Sequence, residues 1–200
     1  MSAEAGCGRT VRPQPGSADG YSLLELLFVV SLTVVLGAIA IPQAFSSRDS
    51  ARATAAARFL TSRLMLARAQ AVQRGTAVAI RFETDSRGFR FATYQDGNHN
   101  GVRSPDIESN IDRQVEQPVR LFELFPGVDF GLTLEGQVLD PIQLGGTSLV
   151  TFTPTGTATS GSLYLRARNG PQFAVRVLGV TGRTRMQRYD EREHTWTDEW

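Results

Sequence analysis

The chain has 200 residues, 41% hydrophobic and 20% charged, with a formal net charge of +1 and a single cysteine, Cys7. That length allows one domain plus a membrane segment. A lone thiol leaves no intramolecular disulfide, and the distant His99 and His194 argue against a Cys- or His-based zinc site.

Residues 1–20 are polar, rich in Gly, Pro and Ser, and carry Cys7 with no apolar period. They are expected to be a cytoplasmic leader. Tyr21 to Ile41 then runs as a continuous apolar stretch in which Glu25 is the only formal charge. As a helix it would span about 31 Å, enough for a hydrocarbon core of about 30 Å. Arg9 and Arg12 precede it, and the next charges are Arg48 and Asp49. This favours leader-in and remainder-out. A carboxylate at membrane depth costs about 2.5–3.5 kcal/mol, so Glu25 is expected to have a partner.

Three readings fit the stretch. A secretory signal peptide would use Ala38-Ile39-Ala40 for cleavage, but this run is longer than the usual apolar region and contains an acid. A plain anchor explains the length and not Glu25. The third reading rests on Gly20-Tyr21-Ser22-Leu23-Leu24-Glu25, which resembles a type IV prepilin signal, with Pro42 after the span resembling the pilin proline. The resemblance implies that a prepilin peptidase cuts between Gly20 and Tyr21 and methylates the Tyr21 nitrogen. It also implies that Glu25 pairs with the Tyr21 ammonium of a neighbouring subunit during assembly.

Gln43 to Arg74 has no Pro or Gly and ends at Gly75, a plausible residue past a helix C-terminus. Phe45, Ala56, Phe59, Leu60, Leu64, Ala67 and Ala71 recur at helical steps and form an apolar stripe. Arg48, Arg52, Arg58, Arg63, Arg68 and Arg74 fall mostly off it, as a solvated face would. Tyr21 to Arg74 is thus expected to be one helix of about 81 Å, kinked at Pro42.

Beyond Gly75 the period becomes two. Val78, Ile80 and Phe82 point one way, Asp85-Ser86-Arg87-Gly88 turns, and Phe89–Tyr94 returns as a hairpin strand. Further strands are expected at Arg120–Leu124, Val128–Leu134, Ser148–Thr153, Ser162–Arg168, Phe173–Leu178 and Thr184–Tyr189. Pro126-Gly127, Pro154-Thr155-Gly156, Asn169-Gly170 and Thr181-Gly182 punctuate them. A long helix followed by antiparallel strands is an α+β pattern.

Asp96-Gly-Asn98-His-Asn100-Gly101 has the start of a calcium-loop spacing, with Asp106 or Glu108 as a substitute ligand near its end. Ile107 occupies the position where a bidentate Glu belongs, and an Asx-rich surface loop fits the same residues. Residues 141–189 contain no acid and six arginines, whereas the tail, 190–200, holds five acids and one Arg. This split fits intramolecular neutralisation or a phosphate-binding surface. No nucleophile–base set, phosphate loop or dinucleotide fingerprint is visible, so no catalytic role is expected.

The order of prepilin signal, Arg-rich amphipathic helix, early hairpin and Asp/Asn-rich loop, ending in Phe152-Thr-Pro-Thr-Gly156 and Gly182-Arg183-Thr184-Arg185, resembles the GspH/FimT family of minor pseudopilins and minor type IV pilins. The likeness covers about residues 20–189. It implies a pilin-like fold in which a long N-terminal helix packs on an antiparallel sheet or sandwich. The division is leader 1–20, transmembrane and assembly helix 21–41, amphipathic continuation 42–75, periplasmic β-rich domain 76–189 and acidic tail 190–200. The implied partners are other pseudopilins or pilins, the prepilin peptidase and an inner-membrane assembly platform. The implied location is the bacterial inner membrane, single-pass, with the domain in the periplasm. No cofactor is implied beyond the calcium option. In the FimT branch the Gly-Arg-x-Arg element is associated with DNA uptake. That alternative would assign Arg183, Arg185 and Arg188 to DNA.

Overall fold

An alanine-rich helix face lets a sheet approach closely, and the fold is built on that contact. The computed structural model describes residues 22–168 and 170–199, with the side chains of residues 41–46 outside the description. Helix α1 (Leu23–Arg74) is followed by β1 (Val78–Asp85), β2 (Gly88–Gln95), α2 (Ser104–Glu108), β3 (Arg113–Gln114) and α3 (Leu121–Leu124). Next come β4 (Val128–Phe130), β5 (Leu132–Leu134), β6 (Gln137–Leu139), β7 (Ile142–Gln143) and β8 (Leu149–Phe152). The last strands are β9 (Gly161–Ala167), β10 (Gln172–Leu178), β11 (Arg183–Asp190) and β12 (Thr195–Asp198). The chain divides into two units, one ending at Pro42 and one beginning at Gln43.

In the first unit, Leu23–Ala40 is long and apolar enough to cross a membrane, with a mean hydropathy of 2.5 and no residue buried by the rest of the chain. Its hydroxyls turn inward: Ser31 Oγ donates to the Leu27 carbonyl and Thr33 Oγ1 to that of Val29. In lipid this leaves neither hydroxyl unsatisfied.

In the second unit, α1 supplies Ala53, Ala56, Ala57, Leu60, Leu64, Ala67 and Ala71, all at most 2% exposed. The expected stripe is therefore the buried face, although Phe45 lies among the side chains outside the description. One four-stranded antiparallel sheet has the order β3-β2-β1-β8, and a larger one the order β12-β11-β10-β9-β4 with β7 beside β9. Val78, Ile80 and Phe152 of the first sheet and Leu165, Phe173 and Val175 of the second share one core with the helix stripe. Truncating a buried leucine such as Leu60 or Leu64 to Ala costs about 2–5 kcal/mol in such a core. Leu132 of the β5–β6 hairpin packs on Tyr164 and Ala174 on the outer face of the larger sheet.

Two expected strands differ. Arg120–Leu124 is not a strand: Leu121–Leu124 forms a helical turn. The reason is tertiary. The nearly buried Arg120 guanidinium is fixed by the Asp85 carboxylate at the β1–β2 turn, and Leu121 is fully buried behind it. Val128–Leu134 breaks at Gly131: Val128–Phe130 pairs with β9, and Leu132–Leu134 leaves to pair with β6. The tail also does more than balance charge, because Thr195–Asp198 adds a strand to β11.

The Asp85–Arg120 pair makes stability depend on pH. The Arg120 side chain, then the Arg87 backbone N–H, lowers the Asp85 carboxyl from 3.8 to about 2. A folded-state value below the unfolded one contributes stability that is complete above the unfolded value and lost as pH falls through about 2. Melting wild type and Asp85→Asn in parallel from about pH 5 to about pH 2 should show the wild-type advantage shrinking towards zero. An advantage unchanged across that window would remove the pair from acid sensitivity.

Candidate functional site

The first site is the start of α1. Ser22 caps the helix: its Oγ accepts the Glu25 N–H at 3.3 Å and its carbonyl accepts the Leu26 N–H at 3.1 Å. Ser-x-x-Glu is the spacing of a capping box, a signal the sequence carries and the pilin motif overshadows. Glu25 itself is exposed on an otherwise apolar segment. Its carboxylate in the first turn also complements the helix dipole. Gly20 and Tyr21 lie outside the described residues, and so does the Pro42 side chain.

The second site joins the two motifs near the carboxy-terminal half. Arg68, one of the arginines expected on a solvated face, instead donates through Nε to the Gly156 carbonyl at 3.2 Å. Gly182 has φ of 60°, and a Cβ there would lie 2.3 Å from the Gly156 oxygen and 2.9 Å from Arg68 Nε. Phe152-Thr-Pro-Thr-Gly156 and Gly182-Arg183-Thr184-Arg185 thus meet over a single α1 side chain. Two further arginines of the helix are also engaged: Arg63 pairs with Glu116 at 2.8 Å, and Arg74 bonds Gln95 at 2.7 Å.

The arginines assigned to DNA by the alternative lie on β11, but not on one face. Arg183 and Arg185 share a side of the strand, and Arg188 by parity lies on the other. Arg185 stands 4.0 Å from Asp198 and Arg188 3.9 Å from Glu199. The acids come from the tail, so this part of the charge split is neutralised within the chain.

The Asp/Asn loop is closed by its own backbone. Asp96, 5% exposed, accepts N–H groups of Asn98 and His99 on Oδ1 and of Gly101 on Oδ2. Asp112 accepts those of Gly97 and Arg103. Asn98 Oδ1 accepts the Asn100 N–H at 3.3 Å, and Asp106 sits in α2 with one buried oxygen unpaired. Among the described residues no group of three or more His, Cys, Asp or Glu converges as a metal set. Asp96 thus closes its own loop as an Asx-type turn, and Asp112 braces that loop from further along the chain.

The family model for the type II transport protein GspH matches residues 56–182. No match is found among curated proteins. Among solved structures, the minor pseudopilin EpsH from the Type 2 Secretion System of Vibrio cholerae is similar over 68% of this chain and 94% of that one, with 16% identity and a TM-score of 0.46. The family match does not support the DNA-uptake alternative. The matched segment, 127 of 200 residues, includes Arg68, Gly156 and Gly182, the parts that lock the helix to both sheet turns. The chain belongs to the GspH family of type II transport proteins.

Proposed function

We infer that this chain is a minor pseudopilin of a type II secretion machine, a subunit and not a catalyst. The observation that carries the reading is the GspH match on a helix-plus-sheet domain, preceded by an exposed apolar helix with one acid near its start. The first half of α1 inserts among the helices of other pseudopilins, at or near the tip of a short filament. Hydrophobic burial supplies affinity, and Glu25 pairs with a neighbour's amino terminus to set the register. In low dielectric that pair is favourable only when docked, so a misplaced subunit is rejected. The domain faces the periplasm, the inner membrane holds the unassembled chain, and an assembly platform extracts it.

The test begins at the amino terminus. Expressed with a prepilin peptidase, the chain is expected to start at an N-methylated Tyr21 by mass spectrometry. Gly20→Ala should leave most of it unprocessed, since only glycine lets the backbone lie flat against the protease. A mature protein starting at Met1 or Ile41 would overturn the reading.

A further inference from the structure

The larger sheet gathers four arginines at one end. Gly170, in the β9–β10 turn, abuts α1: a Cβ there would lie 3.5 Å from the Asp49 carbonyl carbon. Gly182, after the β10–β11 connection, abuts Arg68 instead. Strand β10 therefore runs along the helix from the Asp49 level to the Arg68 level. The antiparallel β11 returns to the Asp49 level, where it turns into β12. Arg166, Arg168, Arg188 and Arg192 consequently share the end of the domain at which the chain enters. They line an open cleft of about 840 Å³ with Ser50 of α1.

The cleft is built for anionic oxygen. Its four arginines face two acids, Asp190 and Glu191, for a net +2. Asp190 is engaged by its own turn, where its Oδ1 accepts the N–H groups of Arg192 and Glu193. Among the described residues, neither Arg168 nor Arg192 has a carboxylate within salt-bridge distance, and both are exposed. Arg48 and Arg52 are exposed on the same stretch of α1. Tyr189 and Trp196, with ring centroids 5.0 Å apart, stand beside the cleft. Tyr and Trp favour membrane–water interfaces, where one end is apolar and the other wet.

Chain length brings this end close to a bilayer. Ser50 lies ten residues beyond Ala40, the last residue of the apolar window. Ten residues of chain reach at most about 33–36 Å. A tether of that length holds the domain at the surface of the bilayer, where an anionic leaflet attracts basic groups.

We propose that the Arg166–Arg168–Arg188–Arg192 cleft is a docking surface for anionic phospholipid headgroups, holding the domain on the bilayer before the subunit joins a filament. The proposal rests on the membrane-anchored reading. The cleft engages headgroup phosphates through its free guanidiniums, and entry into a filament lifts the domain away from them. The headgroup contact and assembly are then mutually exclusive states of one protein.

Arginine footprinting tests this on the full chain. The chain is reconstituted into vesicles of phosphatidylcholine alone or mixed with phosphatidylglycerol, treated with phenylglyoxal and read by mass spectrometry. Flotation with both vesicle types establishes anchoring separately. Arg168 and Arg192 should react about fivefold more slowly on the anionic vesicles. High salt should abolish the difference, and Arg183, at the Arg68 level, should not change. Equal rates on both vesicle types, or equal protection of Arg183, would overturn the proposal. Equal protection on neutral vesicles by inorganic phosphate or by duplex DNA would assign the cleft to that ligand and overturn it too. A chain that floats with neither vesicle type would sink the anchored reading, and this proposal with it.

Discussion

Glu25→Leu is expected to leave the chain inserted and its domain folded, yet to cut its recovery in assembled filaments by about a hundredfold or more. Removing one member of a desolvated ion pair costs about 3–5 kcal/mol, because the other charge is left buried and unpaired. Each 1.4 kcal/mol is about tenfold in an equilibrium. Leucine gains apolar area and improves insertion, so lost membrane affinity cannot explain the defect. Glu25 also sits in the helix cap, and that role needs separating. Ser22→Ala removes the hydroxyl that accepts the Glu25 N–H. It should cost about 1 kcal/mol of helix stability and leave assembly within a few-fold of wild type. Co-purification of sheared filaments measures both. If Glu25→Leu assembles like wild type, the charge-pair role is lost, whatever the cap does.

The second large effect is on the domain itself. Gly182→Ala is expected to destabilise it by about 3–4 kcal/mol. A left-handed backbone costs an alanine about 1 kcal/mol. The new methyl would also sit 2.3 Å from the Gly156 carbonyl oxygen, which is backbone and cannot swing aside. Relieving it means shifting the Gly156 turn away from Arg68, at about 2–3 kcal/mol for an overpacked contact. Gly136→Ala is the internal control. It has φ of 79° and nothing within 4 Å of its Cβ. It should show only the backbone cost of about 1 kcal/mol. Urea titration of the full-length chain in detergent reads both variants. Equal losses at the two sites would mean that the three-way contact of Arg68, Gly156 and Gly182 adds nothing.

The same contact shows where reading the chain stops. Pro154-Thr155-Gly156 and Thr181-Gly182 are legible as turns from composition alone. Their meeting is not. Arg68 and Gly156 are 88 positions apart. Nothing local distinguishes an arginine reaching a carbonyl from one in water, which is why Arg63, Arg68 and Arg74 fit a solvated face so readily. The Arg120–Leu124 error has the same root. The short apolar run of Leu121, Phe122 and Leu124 before Pro126-Gly127 suits a strand as well as a helix, and the Asp85 carboxylate that holds Arg120 lies 35 positions away. Strand β12 was hidden because its two threonines and one acid leave a single large apolar side chain, Trp196. That ring finds Tyr164 and Tyr189 only after β9 and β11 have come to flank β10.

The primary sequence alone determined the long helix, its apolar first half with a single acid, its alanine stripe and most strands of the two sheets. Each rests on a repeat of 3.6 or 2 residues, or on an uninterrupted apolar run, and those signals need no distant partner. Tertiary structure decided which arginines are bound and which are free, how the acidic tail is used, and which end of the domain gathers positive charge. Those outcomes depend on antiparallel strands returning to the same level of α1, and a chain can specify that only by folding.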